Sequence, residues 1–222
     1  MKYLFVLAHP DDEVDVGGTI YRLRSKGHEV AVAILVGKVK ARRNLSDTLS
    51  IDERDSMRTL NVCKVYHADY PNIKMNTVPC SEIVKSIEEF IVDWQAEAII
   101  THFTSDLNID HAVTGKATIA ATRSCLRSDK APKLRLVMMC ETAGATEWVL
   151  DSSRNKYMPN CYVSIGKQGL EVKLKAHACY KGVPRRFPHP YSSEAYTSLA
   201  VVRGAQCGCE YAEAFQCVYR SE

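Results

Sequence analysis

The sequence predicts an α/β protein, a mostly parallel sheet with helices on both faces. Three observations carry that expectation. Apolar runs of strand length alternate with segments of helical period along most of the chain. The first two runs, YLFVLA at 3–8 and HEVAVAILVG at 28–37, are continuously apolar, as strands covered on both faces must be. Clusters of Asp, Glu and His follow several of the runs, where sheets of this class place ligands.

The elements follow in order. After the first strand, DVGGTIYRLRSKG reads as a helix with Ile20 and Leu23 inward and Gly27 as a C-cap. The second strand leads into a polar, basic loop at 38–50 and then a helix from Ile51 with Met57 and Leu60 inward. CKVYHADYP (63–71) is a third strand, and VPCSEIVKSIEEFIVDWQ has apolar residues at 83, 84, 87, 90, 91 and 94, a helical period. AEAIITHF (96–103) is a fourth strand, with a helix at HAVTGKATIAATRSCLR after it. LRLVMMCET (134–142) is a fifth, followed by a short strand CYVSI and helices around 167–181 and 192–204. Neither a repeat nor a low-complexity linker interrupts 1–222, so one domain is expected.

Bulk properties narrow the class. A net charge of +3 gives no sign of a nucleic-acid binder, and no apolar run reaches the ~18 residues of a membrane span. MKYLFVLA runs straight into charge, unlike a signal peptide. Nine cysteines without a CxxC argue against a zinc ribbon or disulfide framework and for reduced thiols in a cytoplasmic protein. Cys207 and Cys209 are close enough in sequence to bind metal or oxidise.

The chemistry collects after strands one, four and five, in HPDDE (9–13), THFTSDLNIDH (101–111) and ETAGATEW (141–148). His9, Asp12 and His111 form a two-His, one-carboxylate set that suits catalytic zinc or ferrous iron. Adjacent Asp11 and Asp12 cannot easily both ligate; one can hold metal while the other takes a proton from water acidified by the ion. DDE alone could be a helix cap, and His9 alone a structural histidine. The second Asp-His after strand four makes coincidence a poor account.

AHPDDE with a downstream NIDH resembles the PIG-L/LmbE family of metal-dependent N-deacetylases. The resemblance runs through HPDDEVDVGGTI, YPNIKMNTVP, THFTSDLNIDH, TEW and FPHPYSSEA…VVRGAQCGCEYAEAF. It implies a three-layer Rossmann-like fold. It implies His9, Asp12 and His111 as zinc ligands, Asp11 as general base, and cleavage of an N-acetyl group from an amino sugar or its conjugate. Relatives often form homo-oligomers, although no pattern here marks an interface.

Two departures stand out. Several relatives carry HxDH where this chain has Asn108-Ile109-Asp110-His111. Asn108 can donate to an oxyanion but cannot act as a general acid, which leaves Asp11 reused or a histidine such as His189. Asp110, grouped here with the catalytic residues, either orients a site neighbour or caps the following helix. The second departure is HPYS where relatives carry HPRS, so Tyr191 stands in place of a substrate-contacting Arg. Further substrate candidates are Arg54, Thr146, Glu147 and Trp148, and the basic pairs Arg42/Arg43 and Arg185/Arg186 suit a phosphorylated sugar or a solvated surface.

Rival classes fare worse. A dinucleotide binder would need G-x-G-x-x-G after strand one, where carboxylates stand instead. A non-catalytic sugar-binding subunit with a structural metal would not need Asp11. A hydrolase of a non-sugar amide is the nearest alternative.

Overall fold

In the computed structural model, residues 1–37, 48–150 and 155–222 are described. The seven-stranded sheet comprises β1 (Lys2–Leu7), β2 (Glu29–Val36), β3 (Lys64–Tyr70), β4 (Ala98–His102), β5 (Leu136–Cys140), β6 (Cys161–Ser164) and β7 (Ala212–Arg220). The strand order is β3-β2-β1-β4-β5-β7-β6. All pairings from β3 to β5 are parallel, and β7 alone runs against its neighbours.

The helices are α1 (Gly17–Ser25), α2 (Leu49–Thr59), α3 (Cys80–Trp94), α4 (Ile109–Ala121), α5 (Ser124–Arg127), α6 (Gly166–Cys179) and α7 (Ser193–Cys207). The three-layer expectation is met because the strands alternate. Phe5, Leu7, Val32 and Ile34 face one core with α1, α2 and α6, while Leu4, Val6, Ala33 and Leu35 face the other with α3 and α4. Along α3, Ile83, Ile87, Ile91 and Trp94 make the buried stripe that its period predicted. Among the described residues no helix is long and apolar enough to cross a membrane.

Two expectations needed correction. The helix read across 111–127 starts two residues earlier, at Ile109, and breaks after Ala121, with α5 as a separate turn. Strand β7 was not foreseen. It places Glu213 beneath α1, where its carboxylate accepts the Gly18 and Thr19 N–H groups and pairs with buried Lys173 at 2.8 Å. An acidic residue at the positive end of a helix is favourable. The chain leaves β1 for β2 and β3 on one side and continues through β4 and β5 on the other, so the switch of direction lies between β1 and β4.

Candidate metal centre at the switch point

His9 leaves the carboxyl end of β1, and His111 sits in the first turn of α4, just past β4. Asn108 caps α4: its Oδ1 accepts the Asp110 N–H at 2.9 Å, which fixes the turn carrying Asp110 and His111. The His9 N–H donates to Asp12 Oδ2 at 2.7 Å, folding that carboxylate back over the strand end. His9 Nδ1 then lies 3.2 Å from His111 Nε2 and 3.4 Å from Asp12 Oδ2, and His111 Nε2 lies 3.4 Å from Asp12 Oδ1. Ligand atoms of the three residues lie within 4.8 Å of one another, and all three are buried.

Carboxylates face the opposite ring nitrogens. His9 Nε2 is 3.0 Å from Asp110 Oδ2, and His111 Nδ1 is 3.3 Å from Asp106 Oδ1. Such partners set ring orientation and leave the other nitrogen for a cation. Burial disfavours charge on His9, but Asp110 and Asp12 overcome it and push its pKa up to about 9. Burial likewise opposes charge on His111, and Asp12 and Asp106 raise it to about 10. Asp12, despite its burial, is held well below the usual carboxylate range by His111 and His102. The pocket thus gathers negative charge around converging imidazole nitrogens, and this donor set fits a divalent cation.

Asp110 lies in the first turn of α4, whose cap is Asn108, and its carboxylate faces His9. Besides His9 it accepts the N–H groups of Ile73 and Met75, at 2.5 and 3.1 Å. The sequence reading passed over three other supports. His102 stacks on His111 with centroids 4.0 Å apart, and its Nε2 lies 3.0 Å from Asp12 Oδ2. Asp106 is itself held by the Thr146 hydroxyl at 2.7 Å.

Glu13 is the third support. It is fully buried, and its Oε2 accepts the Asp11 N–H at 3.0 Å. Its Oε1 accepts the hydroxyls of Ser56 at 2.5 Å and Tyr180 at 2.7 Å. Burial pushes Glu13 up to about 8, partly offset by those hydroxyls. Asp11 itself has φ +93°, a left-handed conformation that few non-glycine residues adopt.

The substrate candidates divide. Tyr191 lines a tight crevice of about 10 Å³ together with Asp11, Asp12, Asp15, His177, Val183 and Tyr196. His189 is exposed, and its Nδ1 accepts the Tyr191 N–H in a local turn. Arg54 points to solvent beside Asp55. Glu147 accepts the Gly144 N–H, and Trp148 is exposed. Arg185 and Arg186 are exposed, whereas Arg42 and Arg43 lie outside the described residues. A larger groove of about 670 Å³ opens at the opposite ends of the strands, but no histidine lines it.

Solved structures share this fold. The N,N'-diacetylchitobiose deacetylase of Pyrococcus horikoshii, in complex with an inhibitor, aligns at 22% identity with a TM-score of 0.77, covering 98% of this chain and 83% of that one. GalB, the 4-carboxy-2-hydroxymuconate hydratase of Pseudomonas putida, aligns at 19% identity and TM-score 0.79, covering 100% and 98%. The zinc-inhibited form of teicoplanin deacetylase Orf2 aligns at 14% identity and TM-score 0.68, covering 100% and 99%. No curated protein matches. The family profile for PIG-L, GlcNAc-PI de-N-acetylase, matches residues 4–122, the span that runs from β1 through α4 and contains His9, Asp11, Asp12 and His111. More than half the chain lies in that match, and the protein belongs to the PIG-L family.

Proposed function

We propose that the protein is a metal-dependent hydrolase that removes the N-acetyl group of an amino sugar or its conjugate. One observation carries the reading: beside three converging ligand-type residues, a second carboxylate, Asp11, is held in a left-handed turn by a dedicated buried partner. A structural metal site has no use for that arrangement.

His9, Asp12 and His111 would hold the cation, zinc by expectation or ferrous iron, which supplies Lewis-acid polarisation of the amide carbonyl and acidifies water. Asp11 takes the proton from the attacking water. With Asn108 Oδ1 committed to the cap of α4, its Nδ2 is the group offered to the carbonyl oxygen as negative charge develops there. Asp11 then returns its proton to the leaving amine, since His189 is engaged in its own turn. Tyr191, at the crevice that also holds Asp11, is the substrate contact favoured among the candidates.

A sugar substrate is supported by the family profile and by the sugar amide named for the Pyrococcus horikoshii enzyme. The hydratase on the same fold favours a second reading, addition of water to an unsaturated tricarboxylate. The test is acetate release from a panel of N-acetylated sugars, nucleotide sugars and glycosides, with an unsaturated hydroxy-tricarboxylate included. Zinc-loaded wild type is compared with Asp11→Asn. Acetate from one substrate class, lost by ~10²–10⁴-fold in the variant while bound zinc is unchanged, is the expected result. No acetate from any member with zinc bound would overturn it, and turnover of the tricarboxylate would establish the second reading.

A further inference from the structure

The geometry points to a dithiol at Cys207 and Cys209 that exchanges with low-molecular-weight disulfides and closes to an intrachain disulfide. The two Sγ atoms are 3.3 Å apart, the pair at hydrogen-bonding distance among the described thiols. Their approach is set by the backbone. Helix α7 ends at Cys207, and Gly208 takes the left-handed conformation at φ +74° and ψ +31°. The N–H groups of Gly208 and Cys209 both return to the Gly204 carbonyl, the latter at 3.0 Å. A left-handed cap of this kind reverses the chain within one residue. It brings the side chains on either side of Gly208 to one side of the turn.

The turn is also braced from within. A Cβ at Gly204 would meet the Cys209 carbonyl oxygen at 2.5 Å and that of Glu210 at 2.7 Å, so the returning chain lies directly against a glycine. The sulfurs have little else to do. Each makes one long contact to a backbone carbonyl, at 3.5 Å, from Cys207 to Gly204 and from Cys209 to Tyr211. Cys207 is exposed and Cys209 half-buried, so a small disulfide can reach the first. The candidate metal centre lies on other elements, and the pair has no part in it.

The exchange balances without help from the protein. The Cys207 thiolate attacks a disulfide RSSR, forming a mixed disulfide and expelling one RS⁻. Cys209 gives up its proton and attacks Cys207 Sγ, expelling the second RS⁻. The pair loses two electrons and two protons, and RSSR becomes two RSH. The second attack is intramolecular, so it outruns trapping of Cys207 by solution thiols. Slight desolvation and its contact with Cys209 hold the exposed Cys207 thiol above its ordinary value, so the reaction accelerates as pH rises.

The test uses reduced, full-length protein treated with oxidised glutathione in mildly alkaline buffer, then alkylated and mapped by mass spectrometry. Cys63 and Cys80, exposed and without a thiol neighbour in contact, are internal controls. The expected result is a peptide containing Cys207 and Cys209 that is lighter by two hydrogens and refractory to alkylation. The controls either stay alkylatable or carry glutathione. In Cys209→Ser the glutathione adduct should accumulate on Cys207, by ~10-fold or more over wild type, because the resolving thiol is gone. Alkylation of both cysteines in wild type, or an adduct on Cys207 that persists as on Cys63, would overturn the proposal.

Discussion

At the scale of single residues, the costliest feature of the site is the backbone of Asp11. A left-handed residue with a Cβ costs ~1–3 kcal/mol, and such strain persists only where its surroundings over-determine it. Glu13 supplies that determination by accepting the Asp11 N–H, while Ser56 and Tyr180 fix the Glu13 carboxyl in turn. Glu13→Ala should therefore relax the turn and lower kcat by ~10–100-fold, the usual effect of losing an outer support. Glu13→Gln, which keeps an oxygen for the same N–H, should recover most of it. Steady-state kinetics on both variants check this; equal losses in the two, or a change confined to KM, would count against it. The residues legible from sequence were those whose chemistry is visible in isolation: His9, Asp11, Asp12 and His111 stand in two compact motifs after apolar strands. Glu13, His102 and Asp106 were passed over because they act by holding other residues, and a holding role appears only when the chain is folded. Asp106 did leave a signal, an acidic residue five positions before a candidate ligand histidine.

At the scale of elements, α4 positions the site more than any other helix. Its N-cap fixes Asp110 and His111, and its body lies so close to β4 that Gly115 touches backbone. A Cβ there would meet the His102 carbonyl oxygen at 2.5 Å and the Thr104 Cα at 3.4 Å. Gly115→Ala should push α4 outward at a cost of ~1–3 kcal/mol, against ~1 kcal/mol recovered by alanine's better helix propensity. The net loss should lower Tm by a few degrees and weaken zinc binding as His111 shifts, both measurable by calorimetry. A variant with raised Tm and unchanged zinc affinity would show that the contact yields without moving the ligand. The strands and helices up to β5 were legible because their periods are clean. Strand β7 was not, because AEAFQCVYR buries an acid that holds α1 and Lys173, which breaks the pattern of an amphipathic strand. The break at Ala121 was hidden for the opposite reason: α5 continues the composition of α4 without its geometry.

At the scale of the whole molecule, the candidate ligands lie about a hundred residues apart and meet only because the sheet reverses direction between β1 and β4. A cation bound there would tie two halves of the core together, so its binding energy would add to folding stability. The linkage to pH has opposite signs with and without metal. In the metal-free protein His9 and His111 have folded pKa values near 9 and 10, above the unfolded value of 6.5. Their contribution is complete below pH ~6.5 and is lost as pH rises through 9 and 10. Ligation requires the facing nitrogens to be deprotonated, so zinc binding must expel protons at neutral pH and tighten as pH rises. The metal-free Tm should fall steadily from pH 7 to 10, and the stabilisation conferred by zinc should grow over the same interval. Titration calorimetry in buffers of different ionisation enthalpy counts the protons released, which should be between about one and two at pH 7, because the two rings face each other at 3.2 Å and share part of their charge. Zinc binding without proton release, or a metal-free Tm indifferent to pH, would mean that the two histidines are neutral in the folded chain and that the carboxylates around them serve only to orient the rings.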